Sequence, residues 1–132
     1  MLNAIGIALS GLSASSQKIA AAASNIANAD TIGSLDNPAQ PPYTPMTVQQ
    51  QAASDGTVTT TLTPKNPPFV PAYDPGSPFA NQTGLVGVPN IDLGAEAVNI
   101  DVAKTAYRAD LAVIKTTKEM EDALFRAFDS KA

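Results

Sequence analysis

The chain has 132 residues, no Cys, no His, 5% aromatics and a formal net charge of −4. One small domain is the ceiling at this length, with a modest core of Ala, Val, Leu and Ile. Without Cys or His there is no zinc site and no Ser–His or Cys–His nucleophile, and without a basic stripe there is no non-specific nucleic-acid binding. No metal and no cofactor is expected, and the absent Cys leaves the redox compartment open.

In chain order, the first element is a helix over Met1 to Asp30. Leu2, Ile5, Leu9, Leu12, Ser16, Ile19, Ala23 and Ile26 recur with gaps of three and four, the rhythm of a helix that shows one seam to a partner. Lys18 is the only charge before Asp30. A helix facing water carries charges on its outer side, so most of this surface is expected to face protein. The polar interruptions Asn3, Ser10, Ser13, Ser15 and Ser16 argue against a secretory signal and against a membrane span. The helix should close near Asn28 through the left-handed conformation that Asn tolerates. Asn25 and Asn28 share a face, and Asn25 is expected to bond a neighbouring subunit. Gly6 and Gly11 would cost about 1 kcal/mol each in a helix interior, which close helix approach would offset.

From Ile32 to Pro89 the composition changes: all 11 prolines lie here, so no long helix can run through it. Met46–Gln51 and Thr57–Thr63 flank Asp55-Gly56 and read as a β-hairpin. Such a hairpin is marginal alone and must lean on the helices or on a neighbour. Pro64 to Pro78 reads as an ordered, non-repetitive loop of polyproline character, with Phe69, Tyr73 and Phe79 to dock it. Lys65 is expected to be exposed.

A second long helix runs from the N-cap Asp92 to about Asp129, with Glu96 in its first turn. Val98, Val102, Ala106, Ala109, Val113, Met120, Leu124 and Phe128 form its apolar stripe, and Tyr107 sits beside it. Lys115–Glu119, Lys118–Asp122 and Asp122–Arg126 are four apart, and Glu119, Glu121 and Asp122 are read as an ion-paired wet face rather than a cation site. Thirteen of the 20 charged residues fall between Glu96 and Lys131. The fold class is therefore mainly α: two terminal helices, residues 1–31 and 92–132, packed antiparallel as a coiled-coil-like pair around a small Pro-rich β insert, residues 32–91. One partner cannot cover all of the first helix, which points to assembly. A coiled-coil adaptor is the alternative, and an enzyme ranks a distant third, because a nucleophile–base pair and a phosphate loop are missing.

Ser10-Gly11-Leu12, Gln17 and Ala23-Ser24-Asn25-Ile26-Ala27-Asn28-Ala29-Asp30-Thr31 resemble the N-terminal signature of the bacterial flagellar axial proteins. Tyr73-Asp74-Pro75, Pro78, Gly84, Pro89-Asn90-Ile91, Glu96, Val98-Asn99 and Ala106-Tyr107 resemble the basal-body rod family, nearest its proximal-rod members. Thr44-Pro45, Leu85 and Asp110 depart from that pattern. The resemblance implies a structural subunit of the rod that carries motor torque, located in the periplasm and exported without a cleaved signal. It implies other proximal and distal rod subunits, further copies of the chain, and the MS-ring and export-gate junction as partners, with another rod or hook subunit as the alternative. The assembly interface is expected at Leu2, Ile5, Leu9, Leu12, Ile19, Asn25, Ile26 and Asn28 of the first helix. On the second it is expected at Val98, Val102, Ala106, Tyr107, Val113, Met120, Leu124 and Phe128.

Overall fold

The computed structural model describes residues 2–129. Met1, residues 130–132 and the side chain of Leu2 lie outside the described residues, and with them the first position of the expected stripe and the charge of Lys131. Helix α1 (Leu2–Ala27) is followed by strands β1 (Met46–Ala52), β2 (Val58–Pro64), β3 (Phe69–Tyr73) and β4 (Leu85–Pro89), then by helix α2 (Leu93–Asp129). Two long helices thus bracket a small β region, and the whole is mixed α and β.

Both ends of α2 follow from local chemistry at the start and from length at the finish. Asp92 Oδ1 accepts the Ala95 N–H at 3.0 Å, the expected N-cap, and Glu96 lies in the first turn, where the helix dipole favours a negative charge. The two helices run antiparallel: Asn25 near the end of α1 bonds Glu96 near the start of α2, and Gly11 lies against Asp110. Because α2 has 37 residues to α1's 26, its last turns run past the start of α1. The projection is about ten residues, or ~15 Å.

The end of α1 departs from expectation. Among the described residues only Gly56 and Gly84 have positive φ, so Asn28 does not close the helix in the left-handed conformation. Its side chain does the closing instead: Asn28 Nδ2 donates to the Ser24 carbonyl at 2.9 Å, beside the Asn28 N–H at 3.1 Å. A side-chain amide can satisfy a terminal carbonyl without a change of backbone region.

The first hairpin is where the sequence placed it, Met46–Ala52 against Val58–Pro64, turning at Asp55-Gly56 with Gly56 at φ 85°. It leans on α1: the Val58 N–H donates to Ser10 Oγ at 3.0 Å, and Thr60 Oγ1 donates to Gln17 Oε1 at 2.7 Å. The stretch expected to be irregular contains strand β3, which pairs antiparallel with β4 beyond it, Pro71 opposite Gly87. Pro71 misled the reading because Pro is barred only from central strands; in a two-stranded sheet each strand is an edge, and a missing N–H can face outward. Gly33 and Gly87 bond each other reciprocally at 3.0 and 2.8 Å, tying the loop after α1 to β4, where Val86 is buried. Two smaller expectations are also corrected. Lys65 is half-buried rather than exposed. Of the three proposed helical ion pairs only Lys115–Glu119 forms among the described residues, at 3.8 Å with both side chains largely in solvent; such pairs bring too little to hold long side chains in place.

Candidate assembly surface

The inward faces of the two helices keep a three–four rhythm, but in a different phase from the large apolar residues. In α1 the positions toward α2 are Ala8, Gly11, Ser15, Lys18, Ala22 and Asn25, of which Ala8, Ser15, Ala22 and Asn25 are buried. Each stands one residue before its counterpart in the expected stripe (Leu9, Leu12, Ser16, Ile19, Ala23, Ile26), a rotation of about 100°. A second row, Ile7, Ser10, Ala14, Gln17 and Ala21, turns toward the β1–β2 hairpin. In α2 the inward row is Glu96, Ile100, Ala103, Tyr107, Asp110, Ile114, Thr117 and Glu121, with Ala103 and Thr117 buried.

Small side chains are inside because the helices lie close. A Cβ added to Gly11 would overlap the Asp110 carboxylate, meeting Cγ at 2.8 Å and Oδ1 at 2.9 Å, so the expected close approach is present there. At Gly6 it is not: an added Cβ would meet nothing within 4 Å. Thr117 is accommodated by donating Oγ1 to the Val113 carbonyl at 2.8 Å, so its hydroxyl is not left unpaired.

Asn25 joins three elements. It is 1% exposed. Its Nδ2 donates to the Met46 carbonyl and to Glu96 Oε1, both at 2.9 Å, while Oδ1 accepts the Met46 N–H at 3.0 Å and the Tyr43 O–H at 3.2 Å. Ser24 Oγ bonds Tyr43 Oη at 3.0 Å and holds that ring in place. Two donors and two acceptor sites are the whole capacity of an amide. The expectation that Asn25 bonds a neighbouring subunit is therefore corrected: the side chain is spent within the chain. The sequence marked Asn25 and Glu96 separately but gave no sign that they meet across 71 residues, and Tyr43 was missed as their third partner.

The stripe residues are placed as follows. Ile5, Leu12 and Ile19 are half-buried, Leu9 and Ile26 are exposed, and Asn28 is half-buried at the helix end. Val98, Val102, Ala106, Val113, Met120, Leu124 and Phe128 are all exposed, from 45% at Val113 and Leu124 to 69% at Phe128 among the large ones. They do not form the α1–α2 seam, which corrects the reading that the two stripes pack on each other. They lie on a flank of α2 about 90° round from its inward row. Tyr107, at 37% exposure, belongs to the edge of the inward row. Phe125 and Leu111 are further exposed large residues that the stripe did not include. The signal for the true seam was the recurrence of Ala8, Ser15 and Ala22 at intervals of seven, small residues that apolar counting passes over.

Among the described residues no group of three or more His, Cys, Asp and Glu could hold a metal ion, and no helix is long and apolar enough to cross a membrane. The pKa of Asp55 is lowered from 3.8, chiefly because its carboxylate accepts the Thr57 hydroxyl at 2.6 Å and then the Thr57 N–H at 3.0 Å.

Comparison with known proteins agrees with this arrangement. The model of the flagella basal body rod protein family matches residues 5–33, which include most of α1 and its close. The flagellar basal-body rod protein FlgC of Escherichia coli O6:H1 is 37% identical over 125 residues, covering 91% of this chain and 92% of the relative. FlgC of Salmonella typhimurium is 36% identical over the same shares, and FlgC of Agrobacterium fabrum is 32% identical over 86% of this chain and 85% of its own. A helix that keeps small residues inside and large ones outside, in a chain so related along nearly its full length, places this protein in the FlgC family of flagellar basal-body rod proteins.

Proposed function

We propose that this chain is a structural subunit of the proximal rod, assembling with copies of itself and with neighbouring proximal and distal rod proteins into the shaft that carries motor torque. In this reading α1 and α2, within residues 1–31 and 92–132, act as one coiled-coil-like packing unit around the export channel. The insert, residues 32–91, forms the outer part. The chain passes unfolded through the flagellar export channel, without a cleaved signal, to the periplasm, and the base of its assembly meets the MS-ring and export-gate junction. It works by packing rather than catalysis, and needs no cofactor.

One observation carries the reading: the chain leaves its large apolar residues in water, along the α2 flank and at Leu9 and Ile26, beside an α1 whose only charge is Lys18. Burying a Val, Leu or Met side chain is worth about 1.5–3 kcal/mol, so a neighbour that covered this flank would be held strongly. The three–four spacing of the inward rows supports the coiled-coil-like packing.

The test uses Leu124→Asp. Leu124 is exposed within the chain, so a carboxylate there leaves the fold intact, yet buried against a neighbour it costs several kcal/mol. Cells carrying this variant should make and export the protein but not swim, as should Ile19→Asp, whereas Gln50→Asp at an exposed site of β1 should swim. Export is measured alongside, because a chain retained in the cytoplasm would also give still cells. Normal swimming by Leu124→Asp would overturn the reading.

A further inference from the structure

The strands of the insert have four outward edges, and three of them are obstructed. The far side of β4 is held by Gly33, and β3 carries Pro71 at its centre. The outer edge of β2 gives its Val58 N–H to Ser10 Oγ and ends in Pro64, which has no N–H. The outer edge of β1 has none of these devices. Its residues, Met-Thr-Val-Gln-Gln-Gln-Ala, hold no charge and no proline, and its register against β2 runs from Met46 to Ala52 without a bulge. An edge left in this state accepts a further strand. Which groups face outward follows from the ladder. The Lys65 N–H bonds the Pro45 carbonyl and the Ala53 N–H bonds the Thr57 carbonyl, both at 2.8 Å, so the odd-numbered residues of β1 belong to the hydrogen-bonded pairs. The even-numbered residues therefore turn N–H and C=O away from β2.

At Met46 both outward groups are taken by the Asn25 amide, which accepts and donates there as one peptide of an adjacent strand would. At Val48, the next outward position, N–H and C=O have no partner among the described residues. Beside it opens a pocket of about 250 Å³ between α1, β1 and the start of α2, floored by Ala21 and Ala22 and bordered by Lys18, Glu96 and Asn99. Lys18 is half-buried, and among the described residues its ammonium has neither an ion pair nor a hydrogen bond. Glu96, the pocket's carboxylate, is turned to Asn25 instead. We infer that this edge docks an extended segment of a different protein, added as a third strand beside β1 and carrying an acidic side chain into the pocket to meet Lys18. Main-chain bonds at Val48 hold the segment, and the Lys18 ammonium selects it. A second copy cannot supply such a strand, because β1, β2, β3 and β4 contain no Asp or Glu. The site belongs to the insert and does not depend on what covers the helix flanks.

The test uses the purified full chain and two end-blocked peptides, Thr-Val-Glu-Val-Thr and Thr-Val-Lys-Val-Thr, each titrated in while NMR follows the backbone amides. The glutamate peptide should bind about tenfold more tightly than the lysine peptide, and its binding should shift and protect the Val48 amide. Val48→Pro removes an outward N–H and leaves the β1–β2 ladder whole, so it should abolish binding while circular dichroism shows an intact fold. Lys18→Gln keeps the edge and removes the cation, so the preference between the peptides should vanish. Four results overturn the inference: neither peptide binds; the lysine peptide binds better, which marks Glu96 as the selecting group; Lys18→Gln leaves the preference unchanged; or a folded Val48→Pro binds as before. Concentration-dependent protection of the Val48 amide without any peptide would mark a second copy as the occupant and overturn it as well.

Discussion

Asn25→Ala is the substitution that most directly tests the folded architecture. It removes four hydrogen bonds, two to Met46 and one each to Glu96 and Tyr43. Not all of them count equally. Tyr43 retains Ser24, and Glu96 is half-buried and can recruit water, so those two losses approach the net worth of an ordinary hydrogen bond, about 1 kcal/mol or less. The Met46 N–H and carbonyl are backbone groups pinned at the first residue of β1. Leaving either without a partner costs about 1–3 kcal/mol. Taken at the low end of these ranges, the sum is about 3 kcal/mol, a large share of the 5–15 kcal/mol that stabilises a typical domain.

Urea unfolding of the full chain, followed by far-ultraviolet circular dichroism, should show a midpoint lowered by about 2 M, taking a slope of about 1.5 kcal/mol per molar for a chain of this size. Asn25→Asp is nearly isosteric and should be worse at neutral pH. It exchanges the donating Nδ2 for an acceptor that faces Glu96 Oε1 and the Met46 carbonyl, each at 2.9 Å. Glu96→Ala made together with Asn25→Ala should cost less than the two separately, because each removes the other's partner. A loss below about 0.5 kcal/mol for Asn25→Ala, the scale of an ordinary surface substitution, would refute the view that this amide ties α1, β1 and α2 together.

Two glycines of α1 should respond in opposite directions. Gly11→Ala forces a methyl into the Asp110 carboxylate and should destabilise by about 1–3 kcal/mol, whereas Gly6→Ala meets nothing and should stabilise by about 0.5–1 kcal/mol; thermal unfolding of both variants checks the pair. Asp55 should titrate below 3.8 when followed by NMR, its folded value lowered by the two Thr57 bonds. The unfolded chain then takes up the proton first as pH falls, so the turn's contribution is complete above that unfolded value and is lost as pH drops through the lower folded one; Thr57→Ala, which removes the hydroxyl bond and leaves the backbone one, should raise the titration part of the way back. Amide exchange in the purified chain should be slowest at the Asn25 end of α1 and faster around Asn3, Ala4 and Gly6, which are exposed.

Much of this architecture could be read from residue order because it depends on local chemistry. Asp92 caps α2 through its own carboxylate, and Asp55-Gly56 forms a turn because glycine accepts φ 85°. The prolines between Pro38 and Pro89 bar a helix across the insert. What could not be read depended on partners remote in sequence. Pro71 looks like a breaker until β4 is known to be its only neighbour in the sheet. Asn25 looks like a surface amide until Met46, Tyr43 and Glu96 are known to converge on it.

The phase of the helix stripe is the most instructive difference, because spacing and phase carry separate information. Periodicity in apolar residues reported correctly that each helix has a buried row with gaps of three and four. It assigned that row to the largest apolar residues, as a self-sufficient domain would require, since burying large side chains is what stabilises a fold. Here the fully buried positions of the two facing rows are Ala, Ser, Thr and Asn, with Ile100 and Ile114 half-buried beside them, and the large residues of the α2 stripe lie outside. Small residues let two helix backbones approach closely, as at Gly11 and Asp110, but they bring little apolar area out of water. The chain's own core is consequently modest, and its largest apolar contribution is held back until a neighbour arrives. A subunit built this way gains most of its stability at the step of assembly, which is the behaviour a shaft made of many chains requires: weakly held while single, strongly held once incorporated.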